Sequence, residues 1–478
     1  MKSFDKELVS GSVVRSVWKL AWPAVLLRLI DGLHSVVDHI LVGQFVGHVG
    51  NAAIGAAWLL FLVVVLFLVS LFQGMVVLAS RYSGMQDRSN LSYVVYQTVV
   101  ATVYLMALVI APLGYFAAPY MLQLVNITPE VEAHALPYLR IMFTCSAPLF
   151  LNFLVTSAFQ ASGDPKTPLY LGVLTTAINV GVSAVLIIGV GPFPALGASG
   201  AALGTALAPA VSIGIAFTLV YRGKTIIQRP PSYRLIPDWS LLKNISRIGL
   251  PTGVQAILLN LAGVFVFRKI GVLEHSAAAQ AAFTICYTQI FSLVTWASFG
   301  LRVASATLMG QNLGAGDASR GRRSVYVAAG MGAAWGVALG LVFWFFPTPL
   351  LGLFDALEEP VYGFGVSLLQ FSAISGMFLA AGLALTGGLQ GAGETKIPMY
   401  IAFVSQIIVL LGLLELFDRL DVITANHIWF ALTISHVSRW VITQLVFTFG
   451  KWEKGLAQLR RSGDGEAATT AQMGENQP

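Results

Sequence analysis

Near the amino terminus, the segment RLIDGLHSVVDH (Arg28–His39) sets four chemically capable side chains along one helical stripe: Arg28, Asp31, His34 and Asp38. Asp31 and Asp38 are seven residues apart, about 700° of helical rotation, so their carboxylates point within about 20° of each other. A carboxylate in a transmembrane helix costs about 2.5–3.5 kcal/mol on insertion scales, so the stripe must face away from lipid and calls for a task. A carboxylate held there can take up and release H+ or pair with Na+, and His34 is a third group able to gain charge. Asp31 has two readings: it titrates together with Asp38, or it forms an i, i+3 pair with Arg28 that leaves Asp38 to act alone. No nucleophile–base pair, metal-ligand cluster or phosphate-cradling glycine loop stands at a workable spacing elsewhere. No enzyme activity is therefore expected, and no cofactor.

A helix carrying such a stripe has to be held among other membrane helices, and the composition supplies them. Hydrophobic residues make up 56% of the 478 residues, charged residues 10%, and the mean hydropathy is +0.77, a balance suited to lipid as solvent. Apolar runs such as Ala52 to Ala79 and Tyr93 to Pro119 are long enough for a hydrocarbon core of about 30 Å, where helices keep the backbone satisfied. Cutting the chain at its polar breaks predicts an all-α integral membrane protein with twelve transmembrane helices, centred roughly on residues 30, 65, 105, 146, 179, 208, 260, 293, 335, 376, 407 and 438.

With the amino terminus inside, the inner segments gather most of the Lys and Arg residues, among them Arg81, Lys166, Arg222, Lys243, Arg320 and Lys396. Glu130, Glu132, Asp355, Glu358, Glu359, Asp418 and Asp421 fall outside. This asymmetry predicts a multi-pass protein of the cell (inner or plasma) membrane with both termini cytosolic. The net charge of +6 then meets anionic lipid headgroups and calls for no nucleic-acid partner. The opening stretch Met1–Ser16 is polar and mixed in charge, and no small-residue cleavage site follows the first apolar run, so the first span is expected to persist. Cys145 and Cys286 lie alone in separate apolar runs and read as packing residues.

The chain also writes one segment twice. FQASGDPKTPLY (Phe159–Tyr170) returns as LQGAGETKIPMY (Leu389–Tyr400), and LASRYSGMQD (Leu78–Asp87) returns at the same offset as LMGQNLGAGD (Leu308–Asp317). LAWPAV from Leu20 aligns with IGLPTG from Ile248 at almost that offset. The copies divide the chain into two pseudo-symmetric six-helix bundles that enter from the same side, a parallel repeat suited to rocking alternating access. The expected division is a cytosolic amino terminus (1–16), an amino-terminal bundle (17–221), a basic cytosolic linker (222–246), a carboxy-terminal bundle (247–450) and a polar, disordered tail (451–478). Each GDPKTP or GETKIP copy reads as a tight turn, with Gly supplying an unusual φ.

WPAVLLRLIDGLHSVVDHILVG in the first helix, the twin FQASGDPKTP and LQGAGETKIP, GASGAALGTALA in the sixth helix and MGQNLGAGD after the eighth together resemble one family. This is the multidrug and toxic compound extrusion transporters, within the multidrug, oligosaccharide-lipid and polysaccharide exporter superfamily. The resemblance covers residues 15 to 450 and implies a secondary antiporter that expels organic, often cationic or amphipathic, compounds against inward H+ or Na+, functional as a monomer. It further implies that Asp38, fifteen residues after Pro23, is the family's first-helix aspartate. Asn179 and Thr205 match the fifth-helix asparagine and sixth-helix threonine of its DinF-like branch. That branch's fifth-helix aspartate is Ser183 here, and its first-helix tyrosine is His34. The acids of the NorM-like branch read Leu259 and, near the second position, Leu379, so coupling is expected in the amino-terminal half, through Asp38, Asp31, Asn179, Ser183 and Thr205.

At about 1.5 Å per residue, Asp31 and Asp38 lie about 14 and 24 Å deep, and Asn179 and Ser183 about 17 and 22 Å, so these residues meet if their helices are neighbours. Arg302, about 12 Å deep in the eighth helix, faces Arg28 across an inward-open cleft in this reading, a pair suited to an anionic or zwitterionic substrate. Arg140 and Arg439 read as nearer the interfaces. His34, Arg28, Arg302, Gln255 and Asn260 are the expected substrate-binding residues, with small organic molecules and membrane lipids as partners. A lipid-linked oligosaccharide or lipid flippase of the same superfamily is the alternative function.

Overall fold

The computed structural model describes residues 3–125, 127–230 and 235–450, with side chains described except at 33–40, 48 and 51; the expected tail, 451–478, lies outside the described residues. Among these residues, twelve long helices carry the fold. They are α1 (Val13–Phe45), α2 (Gly47–Gly84), α3 (Arg88–Leu124), α4 (Pro129–Thr144 and, after a 53° bend at Cys145, Ser146–Ala161), α5 (Lys166–Ile188) and α6 (Ala198–Tyr221). The second six are α7 (Trp239–Ile270), α8 (Ser276–Gly314), α9 (Ala318–Phe345), α10 (Val361–Gly391), α11 (Lys396–Arg419) and α12 (Ala425–Phe449). Nine of them, ten with the bent α4, are apolar enough by composition alone to cross a membrane. The other two, α1 and α12, hold charge in their interiors, Arg28 and Asp31 on one and Arg439 on the other; with them the bundle has the twelve spans the sequence predicts.

The repeated turns fold alike. After α4, Gly163 takes φ +88° and the Asp164 amide donates to the Phe159 carbonyl at 2.9 Å; after α10, Gly393 takes φ +91° and the Glu394 amide donates to the Leu389 carbonyl at 3.0 Å. A left-handed residue at this point turns the chain and satisfies the last carbonyls of the helix. The second pair closes α2 and α8 in the same way: the Asp87 amide donates to the Tyr82 carbonyl (2.9 Å) and that of Asp317 to Asn312 (2.8 Å), through Gln86 (φ +59°) and Gly316 (φ +85°). The Asp87 and Asp317 carboxylates then cap α3 and α9, accepting from the amides of Asn90 (3.0 Å) and Arg320 (2.8 Å).

The two halves meet through contacts that exchange under the repeat. A Cβ added at Gly84 would stand 1.9 Å from the Gln311 carbonyl oxygen, and one at Gly314 would stand 2.1 Å from that of Arg81; Gly310 meets Ser80 at 2.0 Å on the same measure. The repeat equates Gly84 with Gly314, Arg81 with Gln311 and Ser80 with Gly310, so α2 and α8 cross on the pseudo-twofold axis. Further in, α1 packs on α8 at Val25 and Gly300, and α7 packs on α2 at Gly253 and Ser70, again a reciprocal pair. Small residues let these backbones approach closely.

At the end that carries the repeated turns, polar contacts lock the crossing. Gln311 Nε2 donates to the Ala161 carbonyl (2.9 Å) and to Ser83 Oγ (3.3 Å), and Thr307 Oγ1 donates to the Gln160 carbonyl (3.4 Å). A short helix, Glu7–Ser10, lies over the seam: Leu8 is buried, Arg320 donates to the carbonyls of Glu7 (3.4 Å) and Leu8 (3.5 Å), and Lys19 pairs with Asp5 and Glu7.

The helix α7 begins at Trp239, inside the stretch expected as linker. Asp238 starts it early by accepting from the amides of Ser240 and Leu241, both at 3.1 Å. The Tyr93 hydroxyl also donates to Asp238 (2.9 Å) and the Asp238 amide donates to Gln97 Oε1 (3.0 Å), which ties α7 to α3. Burial alone would raise the Asp238 carboxyl, but these hydrogen bonds hold it below its usual value.

Candidate functional site

In the amino-terminal half, α5 packs on both α1 and α6. A Cβ at Gly172 would stand 2.2 Å from Leu27 Cδ1, and one at Gly204 would stand 2.1 Å from Ser183 Oγ. This packing brings Asn179, Ser183 and Thr205 into one buried patch. Asn179 and Ser183 are both 0% exposed, and Asn179 Nδ2 donates to Thr205 Oγ1 at 3.3 Å. Asn179 Oδ1 and Ser183 Oγ are buried without a hydrogen-bond partner among the described residues. Buried oxygens without donors are costly, and they are the ligand type of a hard cation or the acceptor of a protonated carboxyl.

On α1, Arg28 Nη1 stands 3.1 Å from Asp31 Oδ2, so the i, i+3 pair forms; Asp31 has a further interaction besides. His34 and Asp38 follow on the same helix, and their side chains lie outside the described residues. Among the described residues, no group of three or more His, Cys, Asp or Glu side chains could hold a metal ion.

Arg302 sits beside the crossing of α1 and α8. Its guanidinium lies 5.3 Å from the Phe299 ring centroid, and its charge feels those of Arg28 and Arg439. Arg28 and Arg302 stand on helices that cross at Val25 and Gly300, beside a seam that is closed toward the repeated turns rather than across a cleft open there. Arg439, wherever it lies in depth, is buried in the protein, 7% exposed, because α12 packs that face against α10 and α11.

One turn before Arg439, His436 places Nε2 3.3 Å from the Tyr287 hydroxyl and stacks on Tyr287 and Phe291 at centroid distances of 6.4 and 6.0 Å. Tyr287 lies in a π-helical segment of α8 (Thr284–Ile290), and Gln406, which donates to Ser435 Oγ at 2.7 Å, in another on α11 (Phe403–Leu411). Such widened turns re-aim side chains and recur at functional sites. The sequence did carry a signal for this cluster: His436 and Arg439 stand i, i+3 in the middle of an apolar segment, the spacing already noted for Arg28 and Asp31.

The remaining expected residues do not assemble. Gln255 is buried on α7, but its Oε1 accepts from Gln390 Nε2 of α10 at 3.3 Å. Asn260 is exposed and donates to the Ala256 carbonyl of its own helix at 2.9 Å. One pins helices together and the other faces outward, so they form no common site.

The MatE family model matches residues 23–185 and 251–413, one copy in each half. Among known proteins, the chain is similar to the "Probable multidrug resistance protein NorM" of Thermotoga maritima, 26% identical over 440 residues that cover 91% of this chain and 92% of that protein. It is also similar to the "Probable multidrug resistance protein YoeA" of Bacillus subtilis, 26% identical over 394 residues covering 82% and 84%. In fold it matches an outward-facing multidrug resistance MATE family transporter of the MOP superfamily, with a TM-score of 0.85 at 18% identity over 94% of this chain and 100% of that one. A MOP superfamily transporter from Pyrococcus furiosus, described by the reverse polarity of its binding pocket, matches with a TM-score of 0.85 at 18% identity over 94% and 98%. Matched once in each half, at the spacing its own repeat sets, the chain belongs to the MatE family of multidrug and toxic compound extrusion transporters.

Proposed function

We propose that this transporter is a secondary active exporter of small organic, cationic or amphipathic compounds, driven by inward H+ or Na+ and working by rocker-switch alternating access as a monomer. In this reading the protein lies in the cell membrane with its termini and repeated turns in the cytosol, and the bundles 17–221 and 247–450 are the rocking bodies. The observation that carries it is the pair of buried oxygens, Asn179 Oδ1 and Ser183 Oγ, that have no hydrogen-bond partner among the described residues, on a helix packed against α1, which bears Asp31 and Asp38. A cation bound there completes them, and a neutral carboxyl on α1 can donate to them.

The reciprocal seam around Gly84 and Gly314 suits a two-state crossing, since a small, symmetric contact can part at one end without unpacking either bundle. Relatives named as multidrug resistance proteins support drug-like substrates, and the Asn179–Thr205 bond supports the DinF-like branch. Ethidium efflux from everted vesicles, energised in turn by a pH gradient and by a Na+ gradient, tests this. One gradient should drive efflux, and efflux that persists with both gradients collapsed sinks the reading.

A flippase for lipids or lipid-linked oligosaccharides is favoured by a different observation, the positive charge that Arg28, Arg302 and Arg439 carry at positions that are not exposed. It expects translocation of a fluorescent anionic lipid with neither gradient applied.

A further inference from the structure

Helix α12 buries a positive charge that nothing described nearby balances. Arg439 is 7% exposed, and among the described residues its guanidinium has no hydrogen-bond or ion-pair partner; the one side-chain bond to this residue goes to its carbonyl, from Thr443 Oγ1 at 2.6 Å. Arginine cannot shed its proton to escape, so a buried, unpaired guanidinium calls for an anion. The neighbouring charges make the need greater. Among the described residues Arg302 is met by the face of Phe299 at 5.3 Å and by no ion pair, and Arg28 is already paired with Asp31 at 3.1 Å.

Toward the start of α12 the same cluster becomes aromatic. Phe283 stacks on Tyr287 at 5.0 Å and on Trp429 at 5.9 Å, Tyr287 stacks on Phe291 at 5.3 Å, and the His436 ring lies nearly parallel to both Tyr287 and Phe291. His436 is 6% exposed, and among the described residues its Nδ1 has no hydrogen-bond partner. A stacked wall that ends in two cations and a free imidazole nitrogen fits a planar ring bearing an oxyanion. Arg302 is only partly buried, which leaves the cluster a way in beside the seam between the halves.

We propose that the carboxy-terminal half binds the oxyanion of an aromatic carboxylate or phosphate between Arg439 and Arg302, its ring lying beside Tyr287, Phe291 and His436. The proposal rests on the exporter reading and adds to its substrates, within the amphipathic class, compounds carrying an acidic group. The cation that drives transport and the anion that is carried then occupy different halves.

The test uses the full-length protein in phosphatidylcholine nanodiscs, with 1-naphthoate as fluorescent probe and 1-naphthamide as its neutral counterpart. Naphthoate should bind at least about tenfold more tightly than naphthamide, and Arg439→Gln should weaken naphthoate by about ten- to hundredfold, the range of a charge-assisted hydrogen bond, while leaving naphthamide unchanged. Arg439→Lys, which keeps the charge, should recover part of the loss, and Arg419→Gln, in the exposed pair with Glu415, should change nothing. Arg302→Gln gives the same reading at a less buried position, should Arg439→Gln fail to elute as folded protein.

Equal binding of acid and amide, or unchanged naphthoate affinity in both folded glutamine variants, overturns the proposal. Repeating the titration in nanodiscs that contain phosphatidylglycerol separates the two sources of oxyanion. Weaker apparent naphthoate affinity there assigns the site to lipid phosphate as well, and unchanged affinity assigns it to the soluble carboxylate. No ion gradient is applied, so failure here leaves the coupling reading standing, and failed vesicle efflux leaves this one standing.

Discussion

The two halves share their turns, their crossings and their helix order, yet their interiors offer opposite chemistry. In the amino-terminal half, α5 and α6 hold buried oxygens without donors among the described residues, Asn179 Oδ1 and Ser183 Oγ. In the carboxy-terminal half, α8 and α12 hold Arg302, Arg439 and His436, and the positions that the repeat equates with Asn179 and Ser183 read Val409 and Leu413. Helix α6 carries no charged residue, whereas α12 carries Arg439. Where backbones touch, at Gly84 and Gly314 or Gly163 and Gly393, geometry dictates the residue and the copies stay alike. Mid-helix side chains pointing into the interior are free of that constraint, so a symmetric scaffold can hold one site for a cation and another for an anion.

The sharpest way to break this comparison is Asp38→Asn. It should abolish gradient-driven dye efflux in vesicles while membrane insertion stays intact, because the amide keeps the shape but cannot cycle a proton or balance Na+. Near-normal efflux would move coupling out of the amino-terminal half. Asp31→Asn comes next, since it leaves Arg28 near Arg302 without its partner and should cost most of the transport rate. The double variant Arg28→Gln with Asp31→Asn should recover much of it if the pair is structural; no recovery assigns Asp31 to the titrating set.

Asn179→Ala and Ser183→Ala should each raise the ion concentration needed for half-maximal efflux by about tenfold, the loss of one ligand or hydrogen bond, and unchanged ion dependence would remove the patch from the coupling site. The scaffold itself is probed by Gly84→Ala and Gly314→Ala, whose new methyl groups would press on the Gln311 and Arg81 carbonyls. Each should disfavour the sealed state by about 1–3 kcal/mol, read as faster thiol labelling of a Ser83→Cys reporter, and by similar amounts if the crossing lies on the symmetry axis. The smallest effects belong to Gln255→Ala and Asn260→Ala, which should alter substrate affinity at most. Loss of response to both ion gradients in either one would contradict an amino-terminal coupling site.

Much of this molecule was legible before folding because lipid and backbone sterics act on the sequence locally. Twelve spans follow from apolar length, even where Arg28 and Arg439 dilute it. The duplicated turns follow from glycines at Gly163, Gly316 and Gly393 that take the left-handed conformation the turn demands. The Arg28–Asp31 pair follows from its i, i+3 spacing.

Counting residues from a helix end gives depth but not the direction a side chain faces, so it could not show that α10 and α11 enclose Arg439. Gln255 and Asn260 stand close together on one helix, yet one meets Gln390 across a helix contact and the other faces outward. The closed end, the oxygens of Asn179 and Ser183 without donors among the described residues and the enclosure of Arg439 depend on which helices become neighbours. Those neighbours are chosen by long-range packing of small residues such as Gly84, Gly172 and Gly300 against partners far away in the chain, so the tertiary structure alone decides which polar groups meet.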